Sequence, residues 1–212
     1  MDVIQAIRRY SFQPIPHHVL SGLLKEYANP NNKINQLVKQ GILTPVVKGL
    51  YVTGPALDME LPDNFLLANL IFGPSYVSLE SALSYYDLIP ERVYAVTSVT
   101  TKLGRAYQTP IAAFQYVRLP LPYYSYGIRS VRLTAEQTVL MASPEKALFD
   151  KIVTTPGVDF RSKESVRSYL EDDLRLDADR VKSFDQPAMQ SWLSRAPKKR
   201  SLSFLLKTIP EL

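Results

Sequence analysis

Between Asn29 and Gly41 the sequence marks both ends of one helix, and that bracket constrains the N-terminal fold more than any other feature. Asn29 can accept a hydrogen bond from an orphan first-turn amide. Pro30 suits the first helical position, where no amide partner is needed, and Gly41 supplies the left-handed residue that ends the helix. Inside the bracket Ile34, Leu37 and Val38 fall on one face. Asn31, Asn32, Lys33, Asn35, Gln36, Lys39 and Gln40 occupy the remaining surface, so the solvent side carries amides and lysines and no carboxylate.

The flanks of that helix complete a motif. Val19, Leu20, Leu23 and Leu24 recur at helical spacing after Pro14-Ile15-Pro16 and predict a helix ending near Tyr27-Ala28. Ile42 to Thr53 reads as a two-stranded hairpin turning near Lys48-Gly49. Helix, short turn, amide-rich helix and basic-tipped ribbon is the order of a winged helix-turn-helix, whose second helix enters the major groove of duplex DNA. Asn and Gln pair with adenine edges and Lys reaches guanine or phosphate, whereas carboxylates would be repelled by the backbone. The expected DNA-binding residues are Asn31, Asn32, Lys33, Asn35, Gln36, Lys39 and Lys48, with Asn32, Lys33, Asn35 and Gln36 reading bases and Lys39 and Lys48 holding phosphates.

Charge divides the chain near Thr53-Gly54-Pro55. Residues 1–57 hold six Lys/Arg against two Asp/Glu, while residues 58–90 hold five acids and no Lys or Arg. A winged-helix domain over 1–57 and a second domain over 58–212 are therefore expected. In the second, Leu61 to Phe72 predicts a helix broken by Gly73-Pro74, and Ser78 is placed to cap the next one. β-Branched and aromatic residues predict strands over Val93–Thr101, Ile111–Leu119 and Ile128–Leu133. Ser143-Pro144 opens a further helix, and the apolar positions from Val166 through Leu206 predict a mostly helical tail. The fold class is α+β: a winged helix, then a mixed α/β body with a helical C-terminal tail. With 46% apolar residues among 212, the chain can bury a sizeable core.

Catalytic constellations are scarce. The sequence has no Cys, which removes disulfides, thiolate metal sites and thiol nucleophiles. His17 and His18 are adjacent and point different ways on a helix, as surface or packing residues do. Gly49, Gly54 and Gly104 are isolated and lack phosphate-loop spacing. Glu171-Asp172-Asp173, with Asp177 and Asp179, reads as a solvated helix end, since no spacing resembles a calcium loop. Glu145 and Lys146, near Asp150 and Asp159, invite comparison with magnesium nucleases, yet an acid in the first turn of a helix also favours the macrodipole without any chemistry. No catalytic residue, metal or cofactor is expected. Arg92, Lys102, Arg105, Arg118, Arg129 and Arg132 are interleaved with tyrosines, a pattern that fits either a single-stranded nucleic-acid or acidic-partner surface or the exposed row of an ordinary sheet. The segment Met1 to Tyr10 reverses the order of a secretory signal. The longest apolar stretch, near Phe65 to Phe72, is interrupted by Asn69 and falls far short of the ~20 residues a membrane span needs. A cytoplasmic protein is expected.

Two stretches carry a family resemblance. Tyr76-Val77-Ser78-Leu79-Glu80-Ser81-Ala82-Leu83, continuing through Leu88-Ile89-Pro90-Glu91 to Val96-Thr97-Ser98, resembles the AbiEi antitoxins of type IV toxin–antitoxin (abortive infection, phage-defence) systems. Ala142-Ser143-Pro144-Glu145-Lys146-Ala147-Leu148-Phe149-Asp150 looks like the second landmark of that family. Relatives often carry Gly before Leu-Ile-Pro, where this chain has Asp87, a residue that tolerates a left-handed helix end. The resemblance implies a winged helix that represses its own promoter, bound as duplex DNA at inverted repeats, and a body that counteracts a nucleotidyltransferase-like toxin without a stable complex. The competing expectation is a winged-helix regulator whose body binds a ligand or partner, with no toxin.

Overall fold

The computed structural model describes residues 2–212. The chain begins with α1 (Val3–Arg8), β1 (Ile15–Pro16), α2 (His17–Leu23), α3 (Pro30–Lys39), β2 (Leu43–Val47) and β3 (Leu50–Thr53), followed by a 3₁₀ turn at Pro55–Leu57. The strands form one antiparallel sheet in the order β1-β3-β2. This is a winged helix-turn-helix, with α2 and α3 as the helix pair and β2–β3 as the wing. The bracket around α3 is built as expected: Asn29 Oδ1 accepts from Asn32 N at 3.1 Å, and Gly41 is left-handed at φ 68°. A cap of this kind contributes about 1 kcal/mol. α2 stops at Leu23, short of Tyr27, because Lys25 N turns to Gly22 O and Tyr27 N to Leu24 O, and these i+3 bonds tighten the chain out of the α-helix. α1 and β1 have no counterpart in the sequence expectations. A six-residue helix shows too little periodicity, and a two-residue strand shows none.

The remaining chain contains α4 (Asn64–Ile71), β4 (Ser75–Val77), α5 (Leu79–Tyr85), β5 (Ala95–Thr100), β6 (Arg105–Gln108) and β7 (Ala113–Arg118). β8 (Ile128–Arg132), β9 (Thr138–Ala142) and α6 (Pro144–Thr154) follow. A tail of α7 (Lys163–Ser168), α8 (Ala178–Lys182), α9 (Gln186–Trp192) and α10 (Lys199–Thr208) completes the chain. One six-stranded sheet runs β6-β7-β5-β4-β9-β8, with β5–β7 and β4–β9 parallel and the other pairs antiparallel. The body is α+β with a helical tail. The three expected strands correspond to β5, β7 and β8. β4, β6 and β9 were not expected: β4 is three residues long and buried throughout, with no alternation to read, and β6 is an exposed edge strand. Ser143 caps α6 as expected, accepting from Lys146 N at 3.2 Å. Ser78 sits at the start of α5 but does not cap it, since its hydroxyl donates to Asp150 Oδ2 at 2.8 Å instead. Asp87 takes the left-handed conformation, at φ 53°.

Two apolar clusters hold the molecule. Ile7, Ile15, Leu20, Leu24, Ile34, Leu37, Ile42, Leu43 and Leu57 form the core of the N-terminal unit. The larger core includes Leu67, Tyr76, Leu83, Val99, Phe149 and Leu202, and it also takes in Val46 and Val52 from the wing. The wing strands are thus packed into the body. Gly54 follows at a close chain crossing, where a Cβ would stand 2.1 Å from Gly41 O, so only glycine fits. Val52→Ala is expected to destabilise the whole protein by about 2 kcal/mol. In urea this should lower the midpoint of a single transition at unchanged slope, whereas loss of the N-terminal unit alone would split the transition in two. Among the described residues no helix is long and apolar enough to cross a membrane.

Candidate nucleic-acid interface

α3 buries Ile34 and Leu37 and turns Asn32, Asn35, Gln36 and Lys39 to solvent, with Asn31 exposed on one flank. Residues three or four apart share a helix face, so Asn32, Asn35, Gln36 and Lys39 form one ridge of amides and a cation. Lys33 departs from the sequence expectation. It is half-buried on the other flank, its ammonium 5.2 Å from the Tyr27 ring centroid and donating to Gln36 Oε1 at 3.1 Å. It is held along the helix instead of projecting from the ridge.

The opposite flank of α3 borders a hollow of about 380 Å³ lined by His17, Asn31, Ile34, Asn35, Lys48, Gly49 and Tyr51. The backbone amide of His17 donates to Gly49 O at 2.8 Å, tying the start of α2 to the tip of the wing. The imidazole Nε2 lies 3.0 Å from Asn31 Oδ1, and Nδ1 lies 3.4 Å from Ser21 Oγ. With the Asn31 carbonyl oxygen accepting, Nε2 carries the hydrogen. Three of the expected residues, Asn31, Asn35 and Lys48, therefore meet around one hollow, and His17 and Tyr51 join them. In sequence His17 is one of an adjacent pair, with the pattern of a surface or packing residue. Its role depends on Asn31 and Lys48 from other elements, and local sequence carries no signal of that meeting.

The second candidate surface does not come together. Arg105 on β6 and Arg118 on β7 lie toward one edge of the large sheet, and Arg129 and Arg132 on β8 lie at the other. Five strand spacings separate β6 from β8, about 24 Å. Arg105 stacks 5.0 Å from the Tyr107 ring centroid, and Lys102 sits 5.2 Å from that of Phe72 while donating to Gly73 O. Arg129 approaches Glu145 Oε2 at 3.7 Å. Arg92 stands beside Tyr94, 5.9 Å from its centroid, at a cleft of about 380 Å³ that also borders Asn64, Phe65, Ser84 and Tyr85. Six cations adjacent in sequence pattern are thus divided among three places.

The run Glu145 to Asp150 is turned inward. Lys146 and Asp150 are fully buried, with Nζ to Oδ1 at 2.7 Å. Asp150 Oδ2 accepts from Tyr76 Oη at 2.9 Å and from Ser78 Oγ at 2.8 Å, and Lys146 also donates to Tyr123 O at 3.2 Å. The ammonium lies 3.4 Å from the Tyr123 ring centroid. Burial pushes the Lys146 ammonium below its ordinary value, with Asp150 opposing. Glu145 instead accepts from Asp185 N at 3.3 Å, and Asp159 accepts from Ser201 and Arg161. Among the described residues no group of three or more His, Asp or Glu is placed to hold a metal ion.

No family model and no curated protein matches the chain. Among solved structures it is similar to the crystal structure of the RV2827C protein from Mycobacterium tuberculosis. The TM-score is 0.66 at 19% identity, and the alignment covers 98% of this chain and 75% of that chain. The likeness spans winged helix and body together, and at this identity what it shows is the fold: α+β, with a helical C-terminal tail.

Proposed function

We propose that the protein is a DNA-binding transcriptional autorepressor and an antitoxin that counteracts a nucleotidyltransferase-like toxin, acting in the cytoplasm and without catalysis of its own. The observation that carries the DNA-binding half is the ridge of Asn32, Asn35, Gln36 and Lys39, free of carboxylates and set on the second helix of a winged helix-turn-helix beside Lys48 of the wing. The antitoxin half rests on the resemblance of residues 76–98 and 142–150 to AbiEi antitoxins.

Asn35→Ala should weaken binding to the DNA upstream of the protein's own gene by about 1–3 kcal/mol and relax sequence preference at one base pair. Fluorescence anisotropy on that DNA and on a shuffled control checks this, and equal loss on both removes Asn35 from base reading. Growth rescue on co-expression with a nucleotidyltransferase encoded alongside tests the antitoxin half. The cleft at Arg92 and Tyr94 favours a second reading, a regulator whose body senses a small ligand. Absence of any such neighbouring toxin gene, with ligand-dependent operator release, would select it.

A further inference from the structure

We propose that the hollow between α2, α3 and the wing is the seat of one backbone phosphate of duplex DNA, held by Asn31, Lys48 and Tyr51, with His17 orienting the Asn31 amide toward it. The inference deepens the DNA-binding reading and rests on it. The hollow is lined by a cation, an imidazole, two carboxamides and a phenol, and by no carboxylate. Among the described residues, the side-chain donors of Lys48, Tyr51 and the Asn31 amide nitrogen have no hydrogen-bond partner within the protein. Donors without acceptors, gathered from three elements around one space, match an anion with several acceptor oxygens.

Pre-organisation points the same way. His17 is fixed by its backbone bond to Gly49 O and by its ring contacts to Asn31 and Ser21, so little ordering remains for binding. Buried Ile34 closes the floor, leaving the polar groups to face whatever enters from outside. The hollow also lies on the flank of α3, beside the ridge and not on it. With the ridge in the major groove, the flank meets the bordering sugar–phosphate strand. A contact there fixes register without reading sequence, which is what phosphate contacts do.

The test is a methylphosphonate scan of the footprinted operator, each probe having one phosphate made neutral, with wild type, His17→Ala and Lys48→Ala compared by anisotropy from low to physiological salt. For wild type, one neutralised phosphate in each half-site should cost about tenfold in affinity. Lys48→Ala should weaken cognate and shuffled DNA alike and flatten the slope of log affinity against log salt by about one. In His17→Ala and Lys48→Ala the penalty for that same phosphate should shrink severalfold. A purely structural role for His17 would lower affinity and leave the methylphosphonate penalty intact, and that result overturns the seat. Selective wild-type binding with both variants unchanged also overturns it while the autorepressor stands. Failure of the wild type to prefer its operator overturns both.

Discussion

Asp150→Ala is expected to remove about 3–5 kcal/mol from the stability of the fold, the cost of leaving a buried charge without its partner. The substitution strips Lys146 Nζ of its 2.7 Å contact and leaves it with the Tyr123 carbonyl and ring. It also deprives the buried hydroxyls of Tyr76 and Ser78 of their common acceptor. Since domains of this kind are stable by only about 5–15 kcal/mol, such a loss moves the urea midpoint by a large fraction of its value. The cluster joins α6 to β4, next to β9 and near the centre of the sheet, and through Tyr123 to the segment before β8. Lys146→Met/Asp150→Leu should cost far less than the sum of the single changes, because both charges leave together. A loss below about 1 kcal/mol for Asp150→Ala would mean that the pair carries no structural weight.

What the sequence shows and what it conceals differ in range. The α3 caps, the wing turn at Lys48-Gly49, the Ser143-Pro144 start of α6 and the left-handed Asp87 are short-range features, each decided within a few residues. Lys146 and Asp150 stand four residues apart on α6, and their burial depends on Tyr76, Ser78 and Tyr123 from distant elements, which the nuclease comparison of the sequence does not reach. The same limit explains β4 and β9, which become strands by pairing with each other and with β5 and β8. It also explains the arginines, whose spacing says nothing about strand order. Val46 and Val52 belong to the body's core although the charge pattern places them in the N-terminal unit, because charge reports the solvent side of a strand and packing uses the other.

Above about pH 10 the protein is expected to lose stability with increasing steepness, the slope approaching about 4 kcal/mol per pH unit once the unfolded phenols are fully ionised. Tyr76, Tyr116 and Tyr123 are buried, and desolvation raises all three phenols above their ordinary value, reinforced at Tyr76 and Tyr123 by the Asp150 carboxylate. In the unfolded chain each releases its proton near pH 10, while the folded chain retains it. The unfolded state then binds fewer protons, so unfolding becomes easier with each added increment of pH. Lys146 acts with the opposite sign. Its value is lowered in the fold, so its contribution to stability rises with pH until the unfolded lysine also deprotonates near pH 10.4, beyond which the tyrosines act unopposed. Urea midpoints at pH 9, 10 and 11 should therefore change little over the first step and fall sharply over the second. Tyr116→Phe isolates one contribution, since that hydroxyl donates only to Ala68 O, at 2.7 Å. The variant should lose stability at neutral pH by the modest worth of one hydrogen bond, about 1 kcal/mol, and its loss between pH 10 and 11 should be smaller than the wild type's by about 1 kcal/mol. An unchanged slope would show that the Tyr116 phenol titrates in the fold as it does in water.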